Sequence, residues 1–82
     1  MSTKEEFQTL LGQNVRRLRK YRNYTVEDLG LESGLGYSQV SRIELGKRNP
    51  TAYTLYMLSK ALDVSPSEFF KLHNNLSDDL QR

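Results

Sequence analysis

Residues 25–46 read TVEDLGLESGLGYSQVSRIELG, two short helical patterns on either side of a glycine-rich corner. Thr25, followed three residues later by Asp28, is a near-match to a capping box in which Asp stands for the usual Glu or Gln. Val26 and Leu29 fall on one side of this first pattern, and Gly34 stops it. The second starts at Tyr37 and turns Val40 and Ile43 inward, about one helical turn apart. Tyr37, Ser38, Ser41 and Arg42 occupy its other face at polar i, i+3 and i+4 spacings. Two helices joined by a tight turn of about three or four residues with Gly form the unit that lays its second helix in a DNA major groove.

The charge distribution points the same way. Net charge is only +2, on twelve Lys and Arg against ten Asp and Glu, yet the isoelectric point is near 9.0. Eight of the basic residues (Arg16, Arg17, Arg19, Lys20, Arg22, Arg42, Lys47, Arg48) lie within positions 14–48, against four acidic ones. Outside that window the acidic residues outnumber the basic. A cluster of this kind is the electrostatic footprint of a polyanion binder. A charge run alone describes a solvated helix face equally well; the adjoining helix pair is what favours DNA.

Length and composition bound the alternatives. A chain of 82 residues holds one domain with a small core that needs tight packing or a partner. There is no cysteine, so neither disulfides nor a thiolate metal site support the fold, in keeping with a reducing compartment. No apolar run approaches the ~18 residues of a membrane span. The start, MSTKEEFQTLL, carries two acidic residues before a very short apolar stretch, which does not suit a signal peptide. The expectation is a soluble cytoplasmic domain.

Hydrophobic spacing predicts an all-α chain with helices over residues 4–21, 25–33, 37–45, 52–62 and 66–72, making one domain over 1–72, and a polar tail over 73–82. Phe7, Leu10, Leu11, Val15 and Leu18 form the inward stripe of the first helix, which Asn23 and Tyr24 break. Gly46 fits a helix stop before the basic loop Lys47-Arg48-Asn49-Pro50. The fourth helix buries Leu55, Leu58 and Leu62, with Tyr56 or Ala61 beside them. Ser65 caps and Pro66 opens the fifth, and Phe69, Phe70 and Leu72 close the core.

At these spacings LGQNVRRLRKYRNYTVEDLGLESGLGYSQVSRIELGKRNPTAYTLYMLSKALDVSPSEFF, residues 11–70, resembles the phage repressor and Cro-like (XRE) helix-turn-helix family. The matches are Leu18-Arg19, Leu29 followed by a small residue, Ser33-Gly34, Ser41-Arg42-Ile43-Glu44 with Gly46, Pro50, and Leu62-Asp63-Val64-Ser65. The resemblance implies a five-helix, lambda-repressor-like domain of a transcriptional regulator, bacterial or phage-encoded and nucleoid-associated, that binds double-stranded DNA sequence-specifically. Small regulators such as restriction–modification controller proteins and phage or plasmid repressors are similar in size.

Carried over by position, the resemblance makes residues 37–45 the recognition helix, with Tyr37, Ser38, Ser41 and Arg42 at base edges. Arg42 suits bidentate hydrogen bonding to guanine O6 and N7. Arg19 and Glu44 are implied to pair, orienting the recognition helix and presenting the remaining arginine donors to a phosphate. Thr25, Lys47, Arg48 and Asn49 are implied to follow the phosphate backbone, partly through amides at helix starts near Thr25 and Thr51. Arg16, Arg17, Lys20 and Arg22 cannot all face DNA from one helix, and one or two are expected to.

The chain departs from the family pattern at Val26 and Gly36, where polar contacts are usual, at Gly30, where alanine is, and at Leu31 and Leu45, where polar residues are. One such module covers few base pairs, so a homodimer on half-sites about one helical turn apart is expected. Tyr53, Tyr56, Met57, Phe70 and Leu72 are its candidate interface. The alternatives are an antitoxin that also binds a protein toxin, or a helical interaction module without specific DNA binding. An enzyme is the weakest reading: His73 is the lone histidine, and nothing asks for a metal, cofactor, small-molecule ligand or membrane.

Overall fold

The computed structural model describes residues 3–72, so expectations for the tail and for His73 lie outside the described residues. Four α-helices follow in order: α1 (Lys4–Tyr21), α2 (Val26–Ser33), α3 (Tyr37–Glu44) and α4 (Ala52–Leu62), then a 3-10 turn at Pro66–Phe70. No strand occurs among the described residues.

Local chemistry sets the helix starts. Thr3 and Glu6 form a reciprocal capping box at α1: the Thr3 hydroxyl accepts from the Glu6 amide at 3.0 Å, and the Glu6 carboxylate accepts from the Thr3 amide at 3.1 Å. Thr25 and Asp28 form the same box at α2, at 3.0 and 2.8 Å. Thr51 caps α4 through the Thr54 amide at 3.1 Å. Each box satisfies two amides that the first helical turn leaves without partners. The end of α1 is tied to the end of α4, since Arg22 donates to the Leu62 carbonyl at 3.0 Å.

The helices enclose one core of Leu11, Val15, Leu18, Leu29, Val40, Ile43, Leu55, Leu58, Leu62 and Phe69. Phe7, Val26 and Ala61 pack against it partly buried. Leu10 is buried but stands outside this cluster. Of the aromatic and aliphatic residues expected to finish the core, Phe69 enters alone; Phe70 and Leu72 are exposed, as is Tyr56.

The fifth helix expected over 66–72 is instead the 3-10 turn Pro66–Phe70, followed by extended backbone at Lys71 (φ −71, ψ 134). The reason lies on α1. Asn14, 2% exposed, donates its two amide protons to the carbonyls of Phe69 (2.8 Å) and Lys71 (2.9 Å). A side chain from another helix thus takes the place that further helical turns would have filled. Asn14 Oδ1 in turn accepts from Arg17.

Two glycines let α3 approach its neighbours backbone to backbone. A Cβ at Gly30 would lie 2.7 Å from the Gly36 carbonyl carbon and 2.8 Å from the Tyr37 nitrogen. A Cβ at Gly12 would collide with the Ile43 carbonyl oxygen and lie 2.7 Å from that of Glu44. The start of α3 is therefore set by α2 and its end by α1.

Gly30→Ala tests this arrangement by its sign. Helix propensity alone favours the alanine by ~1 kcal/mol, whereas overpacking against backbone costs about 1–3 kcal/mol. Urea denaturation should show a net loss of stability; a gain would mean that the α2–α3 crossing is looser than described. Asn14→Ala should cost about 1–3 kcal/mol in the same experiment, because two carbonyls lose their donor.

Candidate nucleic-acid interface

Packing divides α3 into two faces. Val40 and Ile43 are buried, and Tyr37, Ser38 and Arg42 are exposed with Ser41 half-buried. These four residues, all expected at base edges, lie on adjoining outward ridges of one helix. Leu45, the C-cap of α3, continues this surface and is 65% exposed. Gln39, which sequence reasoning passed over, is half-buried.

The basic loop follows directly. Lys47, Arg48 and Asn49 are all exposed. The Lys47 amide donates to the Arg42 carbonyl at 2.9 Å, and Gln8 on α1 donates to the Gly46 carbonyl at 3.1 Å. The loop is thus held to both α3 and α1. Gln8 carried no signal in the sequence: its partner stands 38 positions away.

Glu44 is the sole carboxylate of α3, and Arg19 takes it over. The guanidinium donates from Nε to Glu44 Oε2 at 2.6 Å and from Nη2 to Oε1 at 2.9 Å. Nη1 donates to the Tyr24 carbonyl at 2.7 Å. Both side chains are nearly enclosed, at 10% and 6% exposure. Three of the five guanidinium protons are engaged, leaving two. The hydrogen bond to Glu44 holds the Arg19 pKa above its ordinary value, outweighing the burial that would lower it. With the folded value raised, this contribution is complete below the ordinary arginine range and is lost only above it, so it is constant around neutral pH.

The basic stretch on α1 separates by partner. Arg17 turns to Asn14. Arg22 bonds the Leu62 carbonyl, lies 3.9 Å from Asp63, and sits over the Tyr24 ring. Arg16 and Lys20 are exposed. At the start of α2, the Thr25 amide and one hydroxyl lone pair are engaged with Asp28. The hydroxyl proton is what Thr25 has left to offer a phosphate.

The expected dimer residues lie elsewhere. Tyr53 and Tyr56 stack at 6.4 Å between centroids, Lys60 stands over Tyr56, and Phe70 stacks on Phe7 at 6.0 Å. Tyr53, Tyr56, Phe70 and Leu72 are exposed. Met57 is half-buried and lines a cleft with Glu32, Ser33, Lys60 and Ala61. Among the described residues no group of His, Cys, Asp and Glu is placed to hold a metal ion.

The sequence profile of the family described as Helix-turn-helix matches residues 15–69, from the last two turns of α1 through Phe69. The chain belongs to the helix-turn-helix family. It is 41% identical over 63 residues to an uncharacterized HTH-type transcriptional regulator of Sinorhizobium fredii, covering 77% of this chain and 82% of that one. It is 37% identical over 60 residues to the control protein C.SmaI of Serratia marcescens, covering 73% and 71%. The crystal structure of the restriction-modification controller protein C.AhdI from Aeromonas hydrophila superposes with a TM-score of 0.75 at 36% identity, covering 77% of this chain and 96% of that one. Two further S. fredii regulators match over less than half their own length, 43% and 48%.

In this helix-turn-helix chain a double-mutant cycle of Arg19→Ala and Glu44→Ala measures how tightly the pair is coupled. Either single change leaves a nearly enclosed partner charge, and for a buried pair the loss is about 3–5 kcal/mol; the open edge of this one favours the lower end. The two effects should be strongly non-additive in thermal or urea unfolding. Additive losses would describe two independent solvated charges.

Proposed function

We propose that this chain is a transcriptional regulator that binds double-stranded DNA sequence-specifically, with α3 in the major groove. The observation that carries the reading is the charge of the α3 surface. Its only carboxylate is neutralised by Arg19, while Arg42, Lys47 and Arg48 stay exposed beside exposed or half-exposed Tyr37, Ser38 and Ser41. A polyanion approaching the Arg42, Lys47 and Arg48 end of that surface meets cations and neutral donors, while the acids Glu27 and Asp28 border its Tyr37 end. The names of the matched relatives, regulators and control proteins, support the same reading.

In the proposed complex Tyr37, Ser38, Ser41 and Arg42 meet base edges. A hydroxyl discriminates poorly between bases, so Arg42 carries most of the direct readout. Lys47, Arg48 and Asn49 follow the phosphates, with the two remaining Arg19 protons and the Thr25 hydroxyl at the edge of the contact. Two copies related by a twofold axis would address an inverted repeat, joined through the exposed surface of Tyr53, Tyr56, Phe70 and Leu72 with Met57 beside it. Half-sites about one helical turn apart would supply the contact area that one module lacks. The work is DNA binding without catalysis, in the cytoplasm; no helix among the described residues is long and apolar enough to cross a membrane.

Selection of binding sites from a random duplex pool should return an inverted repeat. Recovery of no motif, with only weak salt-sensitive binding, would favour a protein-interaction role instead. On the selected site Arg42→Ala should cost about 1–3 kcal/mol and relax preference at one base position. Lys47→Ala should weaken all duplexes alike and lower the salt slope by about 1; an unchanged slope would remove Lys47 from the interface.

A further inference from the structure

Phe69, Phe70 and Leu72 follow one another closely in sequence, and the backbone decides which of them enter the core. In the helix expected here, Phe69 and Leu72 stand three residues apart and would share a face, so Leu72 would follow Phe69 inward. In extended backbone, residues i and i+2 share a face instead, which groups Leu72 with Phe70. The chain takes the second arrangement. Backbone at Lys71 is extended (φ −71, ψ 134), Phe69 is buried, and Phe70 and Leu72 are 48% and 72% exposed. The side chain of Asn14 imposes it. Its amide protons go to the carbonyls of Phe69 and Lys71, at 2.8 and 2.9 Å, one on each side of Phe70. Those are the acceptors that a continuing helix would use. Phe70 is left stacked on half-buried Phe7 of α1, at 6.0 Å between centroids. The charge between the two exposed residues is answered locally, since Lys71 pairs with Glu68 at 2.9 Å.

We propose that Asn14 is a positioning residue for self-association, holding Phe70, backed by Phe7, and Leu72 outward for a second copy of this chain to cover. The inference rests on the paired-copy reading of this face and adds two α1 residues to it, Asn14 as organiser and Phe7 as support. The turn packs against both α1 and α4, so these side chains lie beside the helix that carries exposed Tyr53 and Tyr56. For a single copy the arrangement is unfavourable. A buried amide costs desolvation that its hydrogen bonds do little more than offset, and two large apolar groups stay in water that a longer helix would partly bury. Covering Phe70 and Leu72 with a second copy recovers that hydrophobic contribution. Coupling of this kind is reciprocal: if the Asn14 clamp favours pairing, pairing stabilises the clamp.

Sedimentation equilibrium on wild type, Asn14→Ala and Leu29→Val tests this, with circular dichroism showing each folded at the working temperature. Leu29, buried on α2, serves as the stability control. Both protomers must hold the turn, so a clamped population cut to about one third raises the dimer Kd about tenfold. Asn14→Ala should raise Kd by about that factor or more, and Leu29→Val should leave it near the wild-type value. On the wild type alone, hydrogen exchange of the Asn14 side-chain amide, followed by NMR at concentrations below and above Kd, should slow as dimers form. This second reading needs no variant and decides the question if Asn14→Ala does not fold. An unchanged Kd in Asn14→Ala, or amide exchange independent of concentration, would overturn the role of Asn14 and leave the paired copies standing. An equal rise in Leu29→Val would also overturn it, as an effect of lost stability alone. A wild type that stays monomeric at every concentration would remove the paired-copy reading and this inference with it.

Discussion

The bidentate pair between Arg19 and Glu44 is the interaction on which the presentation of α3 depends. It links the last turn of α1 to the end of α3, and through the Tyr24 carbonyl it also fixes the chain where α2 begins. A nearly enclosed ion pair is a poor source of net stability, because removing both charges from water offsets most of their attraction. Its value here is geometric and electrostatic. It sets the angle of a helix of only eight residues that could not hold a conformation alone. It also withdraws the one negative charge of that helix from the surface. The guanidinium is charged throughout the pH range of a living cell, and its hydrogen bond to Glu44 holds its pKa above the ordinary value.

Other contacts complete the fixing of α3, and each acts on backbone. Gly30 admits the Gly36–Tyr37 peptide and Gly12 admits the end of α3. Gln8 holds the Gly46 carbonyl at the head of the basic loop. Asn14, on the same helix as Gly12 and Arg19, secures the final turn that seats Phe69 in the core. One helix, α1, thus supplies the contacts at the end of α3, at the loop after it and at the 3-10 turn. A site held by rigid elements keeps its side chains near a productive geometry.

Much of this was legible in the sequence, for reasons that separate local from distant contacts. The capping box at Thr25 and Asp28, the stop at Gly34 and the inward pair Val40 and Ile43 rest on spacings of three or four residues, and helices respond to those directly. Arg19 and Glu44 were legible only through family resemblance, since nothing in spacing connects positions 25 apart. Asn14 and Gln8 gave no sign, because a polar residue on a helix shows neither its burial nor its partner. Phe69 and Phe70 are neighbours of the same type; Phe70, the one of the two placed among the interface candidates, is the one left exposed, and Phe69 is buried. The expected fifth helix failed because the donor that holds the turn at Pro66–Phe70 lies more than 50 positions away. Resemblance also grouped Arg16 with three other basic residues, and only their partners tell them apart.

NMR would show whether α3 and the loop after it form the surface that meets DNA. Backbone amide shifts of isotopically labelled protein would be followed during titration with the selected duplex. The largest changes should fall on residues 37–49, with a smaller one at Thr25. Changes confined to the face of Tyr53, Tyr56 and Phe70, with residues 37–49 unmoved, would contradict it.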